Sequence, residues 1–238
     1  VLVEGDKVTA KDTSLGADQG VGLAIMLTIL EDKDLPHPDL EFIFTVEEET
    51  TFKGVVTFPY ELLKSRRIIN LDNSKDNSIF SSADGDICNE YSLTGKLENS
   101  HIPTYKVTLT NQTGGNSGEN IELSASNAIT TMAKLLENKD LKISSINGGT
   151  TEIDIATTCE VILATNNINS VFQENSNNLT LEEVKPAKFF SKETTTCIIN
   201  QILILKSGWL STNASANLGT IKTTDEVVTI KYLLRSNN

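Results

Sequence analysis

The chain has 238 residues, 38% of them hydrophobic and 22% charged, a composition suited to a globular protein with one large domain or two smaller ones. Its 32 acidic residues outnumber 20 basic ones, for a net charge of −12, and no Lys/Arg stripe offsets them, so nucleic acid and anionic membrane are excluded as expected partners. No apolar run approaches bilayer length. Cys88, Cys159 and Cys197 are widely spaced and form no C-x-x-C pair, which reads as free thiols in a reducing, cytoplasmic compartment.

In chain order, the apolar VLV at residues 1–3 begins in mid-stretch, and the chain stops just after VVTIKYLLRS; it reads as a fragment. GVGLAIMLTILEDK (20–33) carries apolar residues at helical spacing and predicts a helix packed on a sheet. LEFIFTV (40–46) and RIINLD (67–72) predict buried strands, with a short helix over FPYELLKSR between them. Strand, helix and strand with short connections argue for a largely parallel sheet covered by helices.

From about residue 97 the pattern changes. TYKVTLTN alternates like a half-exposed strand, SASNAITTMAKLLENKD is an amphipathic helix, and LKISSING and TTCEVILAT are strand-like. Residues 165–196 are polar and weakly periodic and give no assignment. NLGTIKTTDEVVTIKYLL predicts a hairpin around TTDE. The expected fold is therefore α/β: a partial, mostly parallel sheet over 1–96, then an α+β module with antiparallel strands over 97–238, incomplete at its C-terminus.

FIFTVEEET (42–50) poses a physical problem, because three adjacent carboxylates follow an apolar run, and an unpaired buried carboxylate costs several kcal/mol. Asp72 closes the next predicted strand, and Asp18 sits in SLGADQGVG at the start of the first helix. In open α/β sheets, ligands bind beyond the carboxyl ends of the strands. Taken singly, Asp18 reads as a helix N-cap, Asp72 as a turn residue and the Glu run as a solvated loop. Together they suit divalent cations held by oxygen donors, with one glutamate beside them acting as a proton shuttle. GADQGVG has the glycine density of a phosphate loop but lacks G-K-[ST] and G-x-G-x-x-G. His37 and His101 both fall in connections, and neither completes a Ser-His-Asp arrangement.

SLGADQGVGLAIML, FTVEEETTFKG, INLDNS, TGGNSGENI and INGGTTEIDIA occur in the order and at roughly the spacing of aminoacyl-histidine dipeptidases. These form the carnosinase-like branch of the co-catalytic zinc exopeptidases, a group that also includes peptidase T. The resemblance spans about residues 8–164 and resumes at SANLGTIKTTDEVVTIKYLLRS. It implies a hydrolase that cleaves short peptides with water activated by two divalent metals, zinc first, with cobalt or manganese as alternatives. By the same resemblance Asp18 bridges the metals, Glu49 and Asp72 each ligate one, and Glu48 is the general base. It further implies a cis bond between Asp18 and Gln19, and a second half that is a lid domain carrying substrate recognition and homodimer contacts.

The departures carry equal information. The family's two metal-binding histidines match neither His37 nor His101, which leaves an all-carboxylate set whose zinc affinity is expected to fall steeply, with no bound metal in this chain as the alternative. The lid motif G-G-H-S-G reads GGNSG here, placing Asn116 where the resemblance implies a substrate-contacting histidine. G-G-T-L-R-N-A-I-P becomes GGTTEIDIA, with Glu152, Ile153 and Ala156 in place of Arg, Asn and Pro. The alternative expectation is thus a catalytically inactive relative or truncated remnant that retains only lid-domain binding or dimerisation.

Overall fold

A computed structural model describes all residues except 12–14, 16, 18, 49–51, 73–76, 111–112, 173–177, 186 and 238. The chain divides into two compact units, Val1–Ser81 and Ser82–Asn238.

In the first unit, β1 (Leu2–Glu4) and β2 (Lys7–Thr9) form an antiparallel hairpin that turns at Gly5, where φ is +64°. Helix α1 (Gly20–Glu31) forms where its apolar periodicity predicts it. Only Gly22 of this helix is buried, and Val21 is 72% exposed, so the expected packing on a sheet is absent among the described residues. A one-turn helix, α2 (Lys53–Val56), follows the acidic stretch.

Two further expectations are corrected here. Neither 40–46 nor 67–72 joins a strand ladder, and Ile68 and Ile69 are 83% and 84% exposed. A strand is defined by its partner, since backbone N–H and C=O groups need a ladder to satisfy them and propensity alone supplies none. The helix expected over 58–66 is reduced to a single 3-10 turn, Tyr60–Leu62. Every strand pair among the described residues is antiparallel.

The second unit is built on a large antiparallel sheet. Its strands are β3 (Gly85–Thr94), β5 (Thr104–Thr110), β6 (Lys142–Gly148), β7 (Thr158–Ala164), β8 (Leu179–Val184), β10 (Gly208–Ser211), β11 (Ala214–Thr224) and β12 (Val227–Ser236). The order across the sheet is β3-β12-β11-β6-β7-β5-β8, with β10 pairing β11. A small separate pair joins β4 (Leu97–Asn99) to β9 (Lys188–Phe190). The predicted hairpin is present as β11–β12, turning at Asp225 with φ +52°.

Helices α3 (Ala128–Leu136) and α5 (Lys192–Ile204) pack on one face of this sheet. Alternating side chains of the strands meet them, among them Val107, Ile143, Val161, Leu218 and Ile230, all at most 1% exposed. Helix α3 offers Ala128, Ile129, Met132, Ala133 and Leu136 to this core, the spacing of one helical stripe. Its N-cap Asn127 accepts bonds from Ile129 N (3.0 Å) and Thr130 N (3.2 Å), and its amide donates to Leu218 O on β11 at 2.8 Å. Most of the stretch that gave no assignment, 165–196, folds into a short helix, α4 (Ile168–Val171), then β8, β9 and the start of α5. The ladder of β8 is with β5, far away in sequence, so no local pattern announced it.

Candidate active site

In the first unit Glu47 and Glu48 lie in a turn rather than at the mouth of a strand. Phe52 N donates to Glu47 O (2.9 Å) and Gly54 N to Val46 O (3.2 Å). Glu47 and Phe52 both adopt left-handed backbone, φ +60° and +52°, uncommon for residues with a Cβ. A Cβ at Gly54 would lie 2.5 Å from Val46 N, so only glycine allows this return. Glu48 is exposed on the turn.

Asp72 is also exposed, and its N–H donates to Asn70 Oδ1 at 2.9 Å. The preceding Leu71 packs against Gly22 so closely that a Cβ there would be 2.8 Å from the leucine Cβ. That contact explains why Gly22 is the buried residue of α1, and it sets the end of the 67–72 stretch against the first turn of the helix that follows Asp18. Asp18 and Glu49 themselves, with the Asp18–Gln19 bond, lie outside the described residues.

Among the described residues no three His, Cys, Asp or Glu side chains are grouped as a cation would require. His37 is exposed, with Nδ1 donating to the carbonyl of Pro38 (2.7 Å), and His101 is exposed in a connection of the second unit. Of the expected carboxylate set, only Asp72 lies among the described residues.

The second unit brings its two glycine-rich motifs together. Asn116 and Asp154 form an isolated antiparallel bridge, and Ile155 N donates to Gly115 O (2.9 Å). Ser117 donates twice to Ile153 O, from its N–H (2.8 Å) and its hydroxyl (2.7 Å). Asn116 Oδ1 accepts from Gly118 N at 2.8 Å. That bond fixes the amide orientation and leaves its NH2 to donate outward from an exposed side chain.

The paired motifs are fastened to the helix-free face of β11 and β12. Buried Asn217 donates to Glu152 O (3.0 Å) and Asp154 O (2.7 Å). A Cβ at Gly149 would fall 1.8 Å from Gly219 O, so backbone runs directly on backbone there, and the ladder shifts register between Leu218 and Thr220. Glu152, the charge-reversed position, pairs with Lys231 at 3.3 Å. Its carboxyl is held below its ordinary value, first by its own backbone N–H and then by that ammonium.

One residue of this site carried no label in the sequence. Arg235, at the end of β12, donates from Nη1 to Ser117 Oγ at 2.7 Å. It is half-buried, makes no ion pair among the described residues, and is the only arginine of the second unit. The YLLRS ending of the segment that carries the resemblance was the available signal.

No profile of a known protein family matches the chain. In sequence it is 31% identical over 156 residues to the cytosol non-specific dipeptidase of Escherichia coli (strain K12), a match covering 62% of this chain and 32% of that protein. The chain therefore spans about a third of the length of the curated relative it matches. In fold it is similar to the aminoacylhistidine dipeptidase from Vibrio alginolyticus, with a TM-score of 0.71 and 23% identity, over 99% of this chain and 55% of that one. The resemblance of the motifs to dipeptidases is borne out by this sequence match, and the likeness of fold is consistent with it.

Proposed function

We propose that the chain serves as a dipeptidase-type metallohydrolase that cleaves short peptides in the cytoplasm. The observation that carries this reading is the sequence match to a dipeptidase, supported by the convergence of GGNSG, GGTTEIDIA and Arg235 in one site. Asp18, Glu49 and Asp72 would hold two divalent cations, zinc first and cobalt or manganese as alternatives. When bound, such cations lower the pKa of water and polarise a carbonyl.

Glu48 takes the proton from the attacking water and passes it to the leaving amine. Asn116 donates its amide N–H to the scissile carbonyl oxygen, where negative charge develops. Arg235, pre-oriented by Ser117, receives the peptide's terminal carboxylate, the planar fork matching its two oxygens. A homodimer through the second unit completes the assembly.

The test is turnover of simple dipeptides with added zinc, manganese or cobalt. Glu48→Gln is expected to lower kcat by about 10²-fold or more with an unchanged circular dichroism spectrum. A variant as fast as the parent would remove Glu48 from the chemistry.

A second reading, a non-catalytic relative or remnant that binds or dimerises through the second unit, is favoured by one observation. Glu152 is engaged by Lys231 where the resemblance implies an arginine. Metal analysis by mass spectrometry, together with the same turnover assay, separates the two readings: no bound metal and no metal-dependent hydrolysis support the second.

A further inference from the structure

Cross-strand register places four side chains in one row on the helix-free face of the large sheet. Trp209 of β10 is paired with Ser215 of β11, Ser215 with Arg235 of β12, and Arg235 with Asp86 of β3. Directly opposed residues project to the same face. Leu218 and Tyr232, next along the hairpin, face the helices and are buried, which fixes the row on the other side. The next row along, Asn217 and Leu233, is covered at 1% and 3% exposure beneath the paired loops. The row of Trp209 is therefore the rim of those loops.

In this row Ser215 separates Trp209 from Arg235. Trp209 is 63% exposed, Ser215 is small and buried to 7%, and Arg235 stands on the far side with Ser117 above it. Two cross-strand steps put the Cα atoms of Trp209 and Arg235 about 10 Å apart. Gly208 also holds β10 tightly, since a Cβ there would lie 2.9 Å from Ser124 Oγ, and Ser124 follows the GGNSG loop in the 3-10 turn Ile121–Ser126. The indole is thus carried on a strand braced against the loop that bears Asn116.

An exposed tryptophan at this spacing from an arginine that makes no ion pair among the described residues has a chemical meaning. A single amino-acid residue carries its carboxylate and its side chain on one Cα, so two groups on strands about 10 Å apart can engage both at once. We propose that Trp209 is a specificity-determining residue: its indole face receives an aromatic side chain of the peptide's C-terminal residue while Arg235 holds that residue's carboxylate. This rests on the role assigned to Arg235 above. Aromatic faces attract one another beyond the area they bury, so the Trp209–Arg235 pair favours peptides ending in an aromatic residue over those ending in alanine.

Trp209 is the sole tryptophan, so its emission reports the site directly. The protein, freed of metal with a chelator, is titrated with N-acetyl-phenylalanine and with N-acetyl-alanine. The expected result is a saturable change in emission with the phenylalanine ligand and an affinity about fivefold above that for the alanine ligand. Trp209→Leu, followed by ligand-observed NMR, should equalise the two affinities and leave alanine-ligand binding in place. Arg235→Met should weaken both ligands by about tenfold. Equal affinities in the parent protein, with binding still lost in Arg235→Met, would overturn the aromatic subsite and leave the Arg235 role standing. Binding of neither ligand, or binding indifferent to Arg235→Met, would overturn the Arg235 role and the subsite with it.

Discussion

At the scale of single residues, the three cysteines show how one side chain acquires different chemistry from its surroundings. Cys159 on β7 is 1% exposed, and burial pushes its thiol up to about 12, with Glu160 adding to the effect. Cys88 is exposed on β3 but also raised, by desolvation first and by Glu152 second. Cys197 is exposed on α5. Because the thiolate is the nucleophile, iodoacetamide at pH 8 is expected to label Cys197 first, Cys88 more slowly and Cys159 only on denaturation, as read by peptide mass spectrometry. The Cys159 shift also has a pH consequence. A thiol that ionises near 9 when unfolded and near 12 when folded leaves the folded state holding the extra proton between those values. Stability therefore falls as pH rises through that window, by at most roughly 1.4 kcal/mol per unit. Urea titrations should show this slope in the parent and lose it in Cys159→Ala.

At the scale of elements, the clearest dependence of one on another runs through Asn127. The same side chain caps α3 and bonds to Leu218 O, at 0% exposure, so it ties the helix to β11 beside the register shift that admits the glycine-rich loops. Asn127→Ala removes the cap and leaves a buried carbonyl unpaired; the loss is expected to be about 2–3 kcal/mol, measured as a lower urea midpoint with an unchanged slope. The helix and the strands around it were legible because each carries its own period: 3.6 in Ala128–Leu136 and near 2 in β5 and β7. β8 was not legible, because its exposed, polar face resembles a loop until β5 supplies a partner. LEFIFTV misled in the opposite direction, its composition being that of a strand while its backbone finds no ladder.

At the scale of the whole molecule, the two units differ in how fully they bury what they contain. The second holds the cluster formed by Met132, Leu163, Ile198, Leu218 and Ile230, with the helices closing one face of the sheet. The first leaves Val21, Val46, Ile68 and Ile69 largely exposed. Amide protection follows burial and ladder bonding. Hydrogen–deuterium exchange should therefore show β5, β6, β7 and β11 as the slowest segments, while 33–46 and 63–71 exchange within the earliest time points. Slow exchange in 40–46 would contradict the absence of a ladder there.

The sequence by itself determined the periodic elements of the second unit, the β11–β12 hairpin, the helix α1 and the motifs that carry the dipeptidase resemblance, since each is written in neighbouring residues. The roles proposed for Asn116 and Glu48 come from the same motifs, by resemblance. Only the tertiary structure decided which distant segments share a surface: that GGNSG lies against GGTTEIDIA, that Asn217 clamps the second of these, and that Arg235 and Trp209 stand in one row. These relations are set by strand register and by backbone-to-backbone contact at glycines, and register depends on pairing between residues far apart along the chain.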